Sequence, residues 1–175
     1  MLVKGYHIAP KAKLVKAALA GQTLDGARLA AANLTDANLE EASLKNVDLS
    51  GATLEGVNLK GAYVAGSNLG AARMSRADLQ NANLYGVNLR RAMLLNANLQ
   101  GANLQGASLQ GANLQGANLQ RANLAWADLR DTNLRGANLD RAEVSDTRLN
   151  GAQYDDKTTL PDDIDPDEEG MVHVS

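Results

Sequence analysis

The side chains best suited to catalysis are few, and the sequence sets them far apart. The chain of 175 residues has two histidines, His7 and His173, near its opposite ends, and it has no cysteine. Nucleophilic catalysis needs a nucleophile within hydrogen-bond reach of a base, and a phosphate-binding loop needs a glycine–lysine pattern that is missing here. We therefore nominate no catalytic residue, expect no cofactor and predict that the protein is not an enzyme.

Acidic residues near the C-terminus form the one cluster that could hold a metal ion. Asp163, Asp165 and Asp167 alternate along the chain, and such spacing of carboxylates is typical of calcium loops. An EF-hand loop also needs glycine at its sixth position and glutamate at its twelfth. The sixth position from Asp163 is Glu168, and Pro166 interrupts the segment. We therefore expect a solvated acidic tail and no metal site.

Most of the sequence consists of one apolar repeat. From Leu24 to Tyr154 every fifth residue is large and apolar, without insertion or deletion, and 23 of these 27 positions hold leucine. Two residues earlier, 20 of the 27 positions hold alanine, and the residue between is asparagine 13 times and aspartate three times. The unit is therefore A-(N/D)-L-x-x, and a fixed period of this kind indicates stacked repeats rather than an ordinary core.

Each unit predicts one short extended segment and one corner. A period of five fits neither an α-helix, on which successive leucines would step about 140° around the axis, nor a plain strand with its period of two. Ala, Asn and Leu can point inward, outward and inward, so the last two residues, here called the corner residues, must turn the chain. Of the 16 glycines, 12 occupy the second corner position of these repeats, which suits the positive φ of a type II turn. Bulky residues at this position predict a different turn at some corners: Arg76, Arg91, Arg121 and Trp126.

The pattern resembles that of the pentapeptide-repeat family, and the resemblance covers residues 22–154. It implies an all-β solenoid, namely a right-handed quadrilateral β-helix with four pentapeptides in each coil. At about 4.8 Å between stacked strands, the repeat would form about 6.7 coils and a rod of about 32 Å. Buried leucines would contribute about 1.5–3 kcal/mol each, and stability would grow by stacking between neighbouring units.

The N-terminal segment, residues 1–21, predicts a cover for the first coil, whose backbone edge would otherwise invite aggregation. Residues 10–20 are predicted to form a short capping helix that starts at Pro10 and is terminated by Gly21. Many members of the family that the repeat resembles carry such a helical cap. The alternative is that Leu14 and Leu19, which are in phase with the repeat, mark two further degenerate pentads.

The C-terminal segment, residues 155–175, abandons the repeat and forms an acidic tail. Together with Tyr154 it resembles the tails of cyanobacterial pentapeptide-repeat proteins, which have a tyrosine, a threonine, two prolines and a Gly-Met pair. Leu160 and Ile164 could fold over the last coil, whereas residues 165–175 are expected to be mobile. With both ends covered, we expect a monomer rather than an end-to-end dimer.

Charge is distributed unevenly along the chain and limits the functions to be considered. Residues 1–21 carry four lysines and no acidic residue, residues 22–154 are neutral, and residues 155–175 carry a net charge of −7. Gyrase-binding members of the family imitate DNA with a strongly acidic coil, and a neutral coil does not imitate a polyanion. This alternative, a DNA-mimic topoisomerase-binding protein, is therefore disfavoured, and no nucleic acid binding is expected. The chain shows neither a signal peptide nor an apolar run long enough for a bilayer, so we expect a cytoplasmic location.

A few outward residues break the pattern and are the candidates for a partner surface. In a coil of four pentads, Tyr63, Tyr85 and Trp126 fall on one side of the rod, and exposed aromatic residues with nearby arginines are typical of interfaces. The other candidates lie on the next two sides: Arg90, Arg91, Met93 and Leu95. The alternative is scattered surface apolar residues, which are normal. We predict a protein–protein interaction or scaffold module with an unidentified protein partner.

Overall fold

A computed structural model, which describes all residues 1–175, shows a four-sided β-helix whose coils each take 20 residues. Parallel bridges join each outward central residue to the one 20 positions later, in an unbroken series from Lys13–Asn33 to Asn133–Gln153. Residues 11–154 therefore form about seven coils, and at about 4.8 Å per coil the rod is about 34 Å long. We number the sides 1 to 4 by the inward leucine in one pentad of each side: Leu24, Leu29, Leu34 and Leu39.

The axis of the rod is filled by the two inward residues of every pentad. Most of them belong to one hydrophobic cluster of 54 buried residues, in which Leu stacks on Leu and Ala on Ala in successive coils. The buried polar exceptions are Ser67, Thr132 and Thr147. The three substitutes Val64, Met74 and Val144 are buried at the same positions, and Tyr154 packs against the cluster while partly buried. Burial of apolar area on this scale is the main force that holds the coils together.

Every corner of the regular coils has the same backbone conformation. The second corner residue has a positive φ whether it is glycine or not, and Arg76, Arg91, Arg121 and Trp126 have φ between 57° and 62°. The prediction that bulky residues select another turn is therefore wrong. The carbonyl group before a corner accepts a hydrogen bond from the amide three residues later, as in the type II turn from Met74 to Ala77. The exception is the corner from Leu44 to Val47, where the Ser67 hydroxyl accepts from the Val47 amide at 2.9 Å and donates to the Leu44 carbonyl at 2.6 Å. Because the ladder also binds the amide of the second corner residue, as between Arg76 and Leu95, the conformation is imposed on residues that do not favour it.

Asparagine is frequent at the outward central position because its side chain accepts a hydrogen bond from a corner amide. The amide of the first corner residue takes no part in the backbone ladder. Instead it donates to the Oδ1 atom of the central asparagine, at 3.0 Å from Thr35 to Asn33 and 3.1 Å from Gln105 to Asn103. Asp48 and Asp128 receive the same bond from the residue two positions later. Asn and Asp are the residues that readily close such local turns.

Five corners show a dependence between residues that are 20 positions apart. In these corners the second corner residue is Asn or Asp, and its side chain lies directly below the same corner of the next regular coil. The residue at that next corner is always glycine. A Cβ atom on Gly56 would lie 2.5 Å from Oδ1 of Asp36, and one on Gly101 would lie 2.5 Å from Oδ1 of Asn81. The remaining pairs are Asn46 with Gly66, Asn96 with Gly116, and Asp131 with Gly151.

The N-terminal segment contains no helix, so the predicted capping helix over residues 10–20 is wrong. Residues 12–21 form two further pentads, in which Leu14 and Leu19 are buried and the amide of Leu14 donates to the carbonyl of Asn33 at 2.7 Å. Stacking on the next coil buries both leucines and pairs the backbone groups that face that coil, which an isolated helical turn would not achieve. A hairpin of strands β1 (Leu2–Val3) and β2 (Tyr6–His7) precedes the first coil.

The C-terminal segment follows the rod for one more, irregular coil. Strand β3 (Gln153–Tyr154) pairs in parallel with β4 (Val172–His173), and Thr159 bridges to Asn138. Residues 165–175 are thus joined to the rod, in contrast to the mobile segment expected from the sequence: the amides of Val172 and Val174 each donate to the last coil at 2.8 Å. Two apolar side chains of the segment, Leu160 and Ile164, pack against the core. No helix in the structure has the length and apolar character needed to cross a membrane.

Candidate interaction surface

Three aromatic side chains project from side 1 of the rod. Tyr63, Tyr85 and Trp126 expose 51 %, 55 % and 65 % of their surface. Tyr63 lies at the centre of the side, whereas Tyr85 and Trp126 occupy the first and second corner positions toward side 2. Tyr85 lies one coil above Tyr63 and Trp126 two coils above Tyr85, so the three rings ascend by steps of about 5 and 10 Å.

The surface between these rings carries no charge. Below it lie Asp25 and Lys45, and above it lie Glu143 and Asp146, so charged residues are found only beyond the ends of the aromatic set. Each of the other three sides carries charged residues within the same four coils. We call this stretch, with its three aromatic residues, the side-1 patch. Its remaining residues are Ala65, Gly66, Asn83, Gly86, Asn103, Gln105, Gly106, Asn123 and the buried Ala125.

Two glycines lie in the corner column directly below Trp126. Gly86 and Gly106 stand directly below Trp126 in the same corner column, and a Cβ atom at either glycine would meet no other atom within 4 Å. The indole of Trp126 therefore does not fold down onto this corner, which agrees with its high exposure. The two glycine corners between the coils of Tyr85 and Trp126 are therefore left uncovered.

The lower end of the side-1 patch is fixed by a small polar network. The ammonium group of Lys45 lies 5.9 Å from the centre of the Tyr63 ring, within the range of a cation–π contact. Asp25 accepts hydrogen bonds from the Ser43 hydroxyl at 2.6 Å and from the amide of Lys45 at 2.9 Å. The Ser43 hydrogen bond, followed by the amide bond and the charge of Lys45, holds the pKa of the Asp25 carboxyl below its usual value against a smaller opposing effect of burial.

The other predicted surface residues lie apart from this patch. Arg90 and Arg91 sit at the corner between sides 2 and 3, where they line a polar depression with Gln110 and Asp131, and Arg90 is hydrogen-bonded to Gln110. The exposed Met93 and the half-buried Leu95 lie on side 3 and its next corner. The seven predicted residues thus divide between side 1 and side 3 with the corners at its two ends.

The repeat itself is recognised by comparison with known proteins. Eight copies of the signature of pentapeptide repeats match the chain, within residues 12–51, 23–61, 52–94, 82–121 and 117–152. The chain belongs to the pentapeptide-repeat family. This confirms the resemblance drawn from the sequence, and pentapeptide repeats form right-handed β-helices. No curated protein matches this pentapeptide-repeat chain.

Solved structures of other pentapeptide-repeat proteins include cyanobacterial ones, as the tail predicted. HetL, a protein involved in heterocyst differentiation regulation from Nostoc sp. strain PCC 7120, is 32 % identical, covers 87 % of this chain and 74 % of its own, and gives a TM-score of 0.42. The protein alr5209 from Nostoc PCC 7120 is 33 % identical, with coverage of 73 % and 84 % and a TM-score of 0.37. QnrB1, a plasmid-mediated fluoroquinolone resistance protein, is 19 % identical, with coverage of 87 % and 90 % and a TM-score of 0.43.

The two histidines of this pentapeptide-repeat protein lie in different terminal segments. His7 belongs to β2, and His173 belongs to β4, where its Nε2 atom lies 2.9 Å from a carboxylate oxygen of Asp156 and its ring meets Tyr154 edge-on at 5.1 Å. No group of three or more His, Asp or Glu side chains in the chain is arranged to hold a metal ion.

Sequence reasoning found the aromatic residues of side 1 but missed the absence of charge around them. That absence is visible only when residues 20 positions apart are compared, because side-1 residues are separated by charged residues of the other three sides. Arg73 and Asp78, for example, lie between Tyr63 and Tyr85 in the sequence but on sides 3 and 4 of the rod. When the sequence is aligned in rows of 20 residues, the side-1 pentads fall in one column and their uncharged stretch is visible.

Proposed function

We propose that the protein is a non-catalytic interaction module that binds a protein partner through the side-1 patch. The observation that supports this most directly is the coincidence of three exposed aromatic residues with the only stretch of four successive coils on one side that has no charged residue. Interface centres are depleted in charge and enriched in Tyr and Trp, and a polar rim surrounds them. Asp25 and Lys45 below and Glu143 and Asp146 above would form two parts of such a rim.

The three aromatic side chains supply enough apolar area to act as anchors. Tyr and Trp each offer about 150–250 Å² when buried, and more than half of each of these three side chains is exposed. Because hydrogen bonds between the coils fix the backbone beneath these side chains, binding would cost little free energy for ordering this surface. Trp126 is the most exposed of the three and is our main candidate for a binding hot spot.

A neutral patch predicts a partner bound mainly by apolar contact. Affinity should then change little with salt, whereas binding of a polyanion, or of a protein that normally binds DNA, should weaken steeply as salt rises. The interaction is expected in the cytoplasm and without nucleic acid.

The experiment that tests the proposal is affinity capture from the source cell with the wild type and three variants of the protein. A protein retained by the wild type should be lost with Trp126→Ala and with Tyr85→Ala, and retained by Met93→Ala, a matched control exposed on side 3. With the captured protein purified, Trp126→Ala should weaken binding about 30-fold, as expected for a hot spot of about 2 kcal/mol.

Two outcomes would reject the side-1 patch. Equal capture by the wild type and by both aromatic variants would show that the partner binds elsewhere. Loss of capture with Met93→Ala alone would show that the partner binds side 3. Melting temperatures equal to that of the wild type would show that the aromatic variants still fold, because neither side chain belongs to the core.

A further inference from the structure

The two ends of the rod carry opposite charges that the chain itself does not neutralise. Four lysines belong to the N-terminal end, all are exposed, and none forms an ion pair with a carboxylate of the same chain. No acidic residue occurs among residues 1–21. The positive charges of this end are Lys4, Lys11, Lys13 and Lys16.

The C-terminal end is correspondingly acidic. Residues 155–175 contain eight carboxylate side chains and one lysine, and in this segment only Asp156 contacts a basic side chain, that of His173. Most of these carboxylates are exposed, including Asp162, Asp163 and Asp167. Between the ends the charges balance, and ion pairs such as Arg73–Glu55 and Arg130–Asp128 are made within the coils.

The backbone ladder is also open at the N-terminal end. The hairpin β1–β2 covers the side chains of the axis, where Ile8 is buried and Val3 and Tyr6 pack against the core. It does not cover the backbone edge, since only the amide of Ala18 is bound, by the Tyr6 hydroxyl at 3.3 Å. The amides and carbonyls of three residues of the first coil have no partner within the chain: Lys13, Thr23 and Arg28.

The C-terminal end leaves matching backbone groups unpaired on two of its four sides. The last segment pairs with side 4 through Thr159 and with side 3 through β4, but it passes sides 1 and 2 without joining the ladder. The amides of Val144 and Leu149 and the carbonyls of Ala142 and Thr147 therefore have no partner within the chain. Unpaired edges of this kind are templates for pairing with another chain.

We propose that the rods associate head to tail, with the basic N-terminal end of one copy against the acidic C-terminal end of the next. Opposite charge selects this orientation, because contacts between two N-terminal ends or two C-terminal ends would place like charges together. Both ends of the rod leave backbone groups open on the same two sides, 1 and 2. The expectation of a monomer depended on a helix that covers the first coil, and no such helix exists. A head-to-tail contact does not close on itself, so it produces chains of growing length rather than a dimer.

Sedimentation velocity of the full chain at several concentrations and two ionic strengths tests the proposal. At about 0.01 M ionic strength, where the Debye length is about 30 Å, the weight-average mass should rise with concentration to at least twice 18.4 kDa. At about 1 M, where it is about 3 Å, the mass should return to that of one chain. A single-chain mass under both conditions, or a mass that stops at two chains, would overturn the proposal.

Charge reversal identifies the contacting ends. The triple variant Lys11→Glu, Lys13→Glu, Lys16→Glu should stay monomeric at low salt, and so should Asp162→Lys, Asp163→Lys, Asp167→Lys. The corner positions of Lys11 and Lys16 accept glutamate, because Glu41 has the same backbone conformation at its own corner. Circular dichroism and thermal melting establish that each variant is folded.

Mixing the two variants is the decisive measurement, because the unchanged acidic C-terminal end of the lysine variant still complements the unchanged basic N-terminal end of the aspartate variant. The mixture should associate although neither variant does so alone. Association of either variant alone, or failure of the mixture, would contradict the charge-selected contact. Trp126→Ala should associate like the wild type, so this test fails or succeeds independently of the side-1 patch.

Discussion

Replacing Gly101 with alanine tests whether a short polar residue at one corner forces glycine at the corner 20 residues later. A Cβ atom at this position would lie 2.5 Å from Oδ1 of Asn81, well inside the ordinary contact distance. Gly106 is a matched control, because it has the same φ of +66° and a Cβ atom there would meet nothing within 4 Å. The two substitutions therefore share the cost of the left-handed backbone and differ only in the contact from below.

The expected difference follows from these two contributions. An alanine in the left-handed region costs about 1–2 kcal/mol relative to glycine, and this applies to both variants. Gly101→Ala in addition pushes the Asn81 side chain out of its position, which costs about 0.5–1.5 kcal/mol if it leaves its rotamer. We expect Gly101→Ala to be less stable than Gly106→Ala by about 1 kcal/mol, or about 2–4 °C in melting temperature for a chain of this size.

Thermal melting followed by circular dichroism measures this difference, and Asn81→Ala supplies the second test. In the Asn81→Ala background the extra cost of Gly101→Ala should disappear, which gives a coupling of about 1 kcal/mol between residues that are 20 positions apart. Ala31 and Ala71 occupy equivalent corners, so alanine is compatible with the position of Asn81. Equal melting temperatures for the two glycine variants, or additive effects of Asn81→Ala and Gly101→Ala, would refute the argument.

Three further substitutions test the axis, the corners and the acid response. Leu104→Ala empties a fully buried position and should cost about 2–5 kcal/mol; an unchanged melting temperature would mean that Leu104 does not point inward. Asn103→Ala should cost about 0.5–1.5 kcal/mol, because the amide of Gln105 loses its acceptor, whereas Asn103→Asp should melt like the wild type. Hydrogen bonds from Arg130 hold the pKa of the Asp128 carboxyl below its usual value, so its stabilising effect should be complete above about pH 4 and fade as the pH falls through the lowered value. Melting curves of the wild type and Asp128→Asn should therefore converge in acid, and a gap that persists there would contradict the assignment.

The inward residues and the corners of the rod could be predicted from the sequence because both are properties of one pentad. The alternation of Ala, Asn and Leu sets which side chains face the axis, and Leu104 and its equivalents are buried accordingly. The preference for Asn is also local, since its side chain closes a turn two residues later in the same pentad. Regularity of this kind identifies the fold but says little about the partner, because it uses most residues for the coil itself.

The N-terminal segment shows where local reasoning fails. Residues 10–20 have an apolar spacing that suits a helix, and Lys11 and Lys16 are poor residues for a left-handed corner. In the rod both have positive φ, of 60° and 56°, because the coil above supplies hydrogen-bond partners and a buried surface for Leu14 and Leu19. Tertiary stacking outweighs the local preference, as it also does at Arg76 and Trp126.

The sequence by itself determined the five-residue period, the inward and outward positions, the family and the separation of charge along the chain. Only the tertiary structure decided that one corner conformation serves all residue types, that the first two pentads belong to the rod, and that both ends leave backbone edges open. The physical reason is the 20-residue step between stacked neighbours. Interactions within a pentad join residues that are adjacent in the sequence. The hydrogen bonds that impose a strained corner, and whose absence leaves an end unpaired, join residues 20 positions apart.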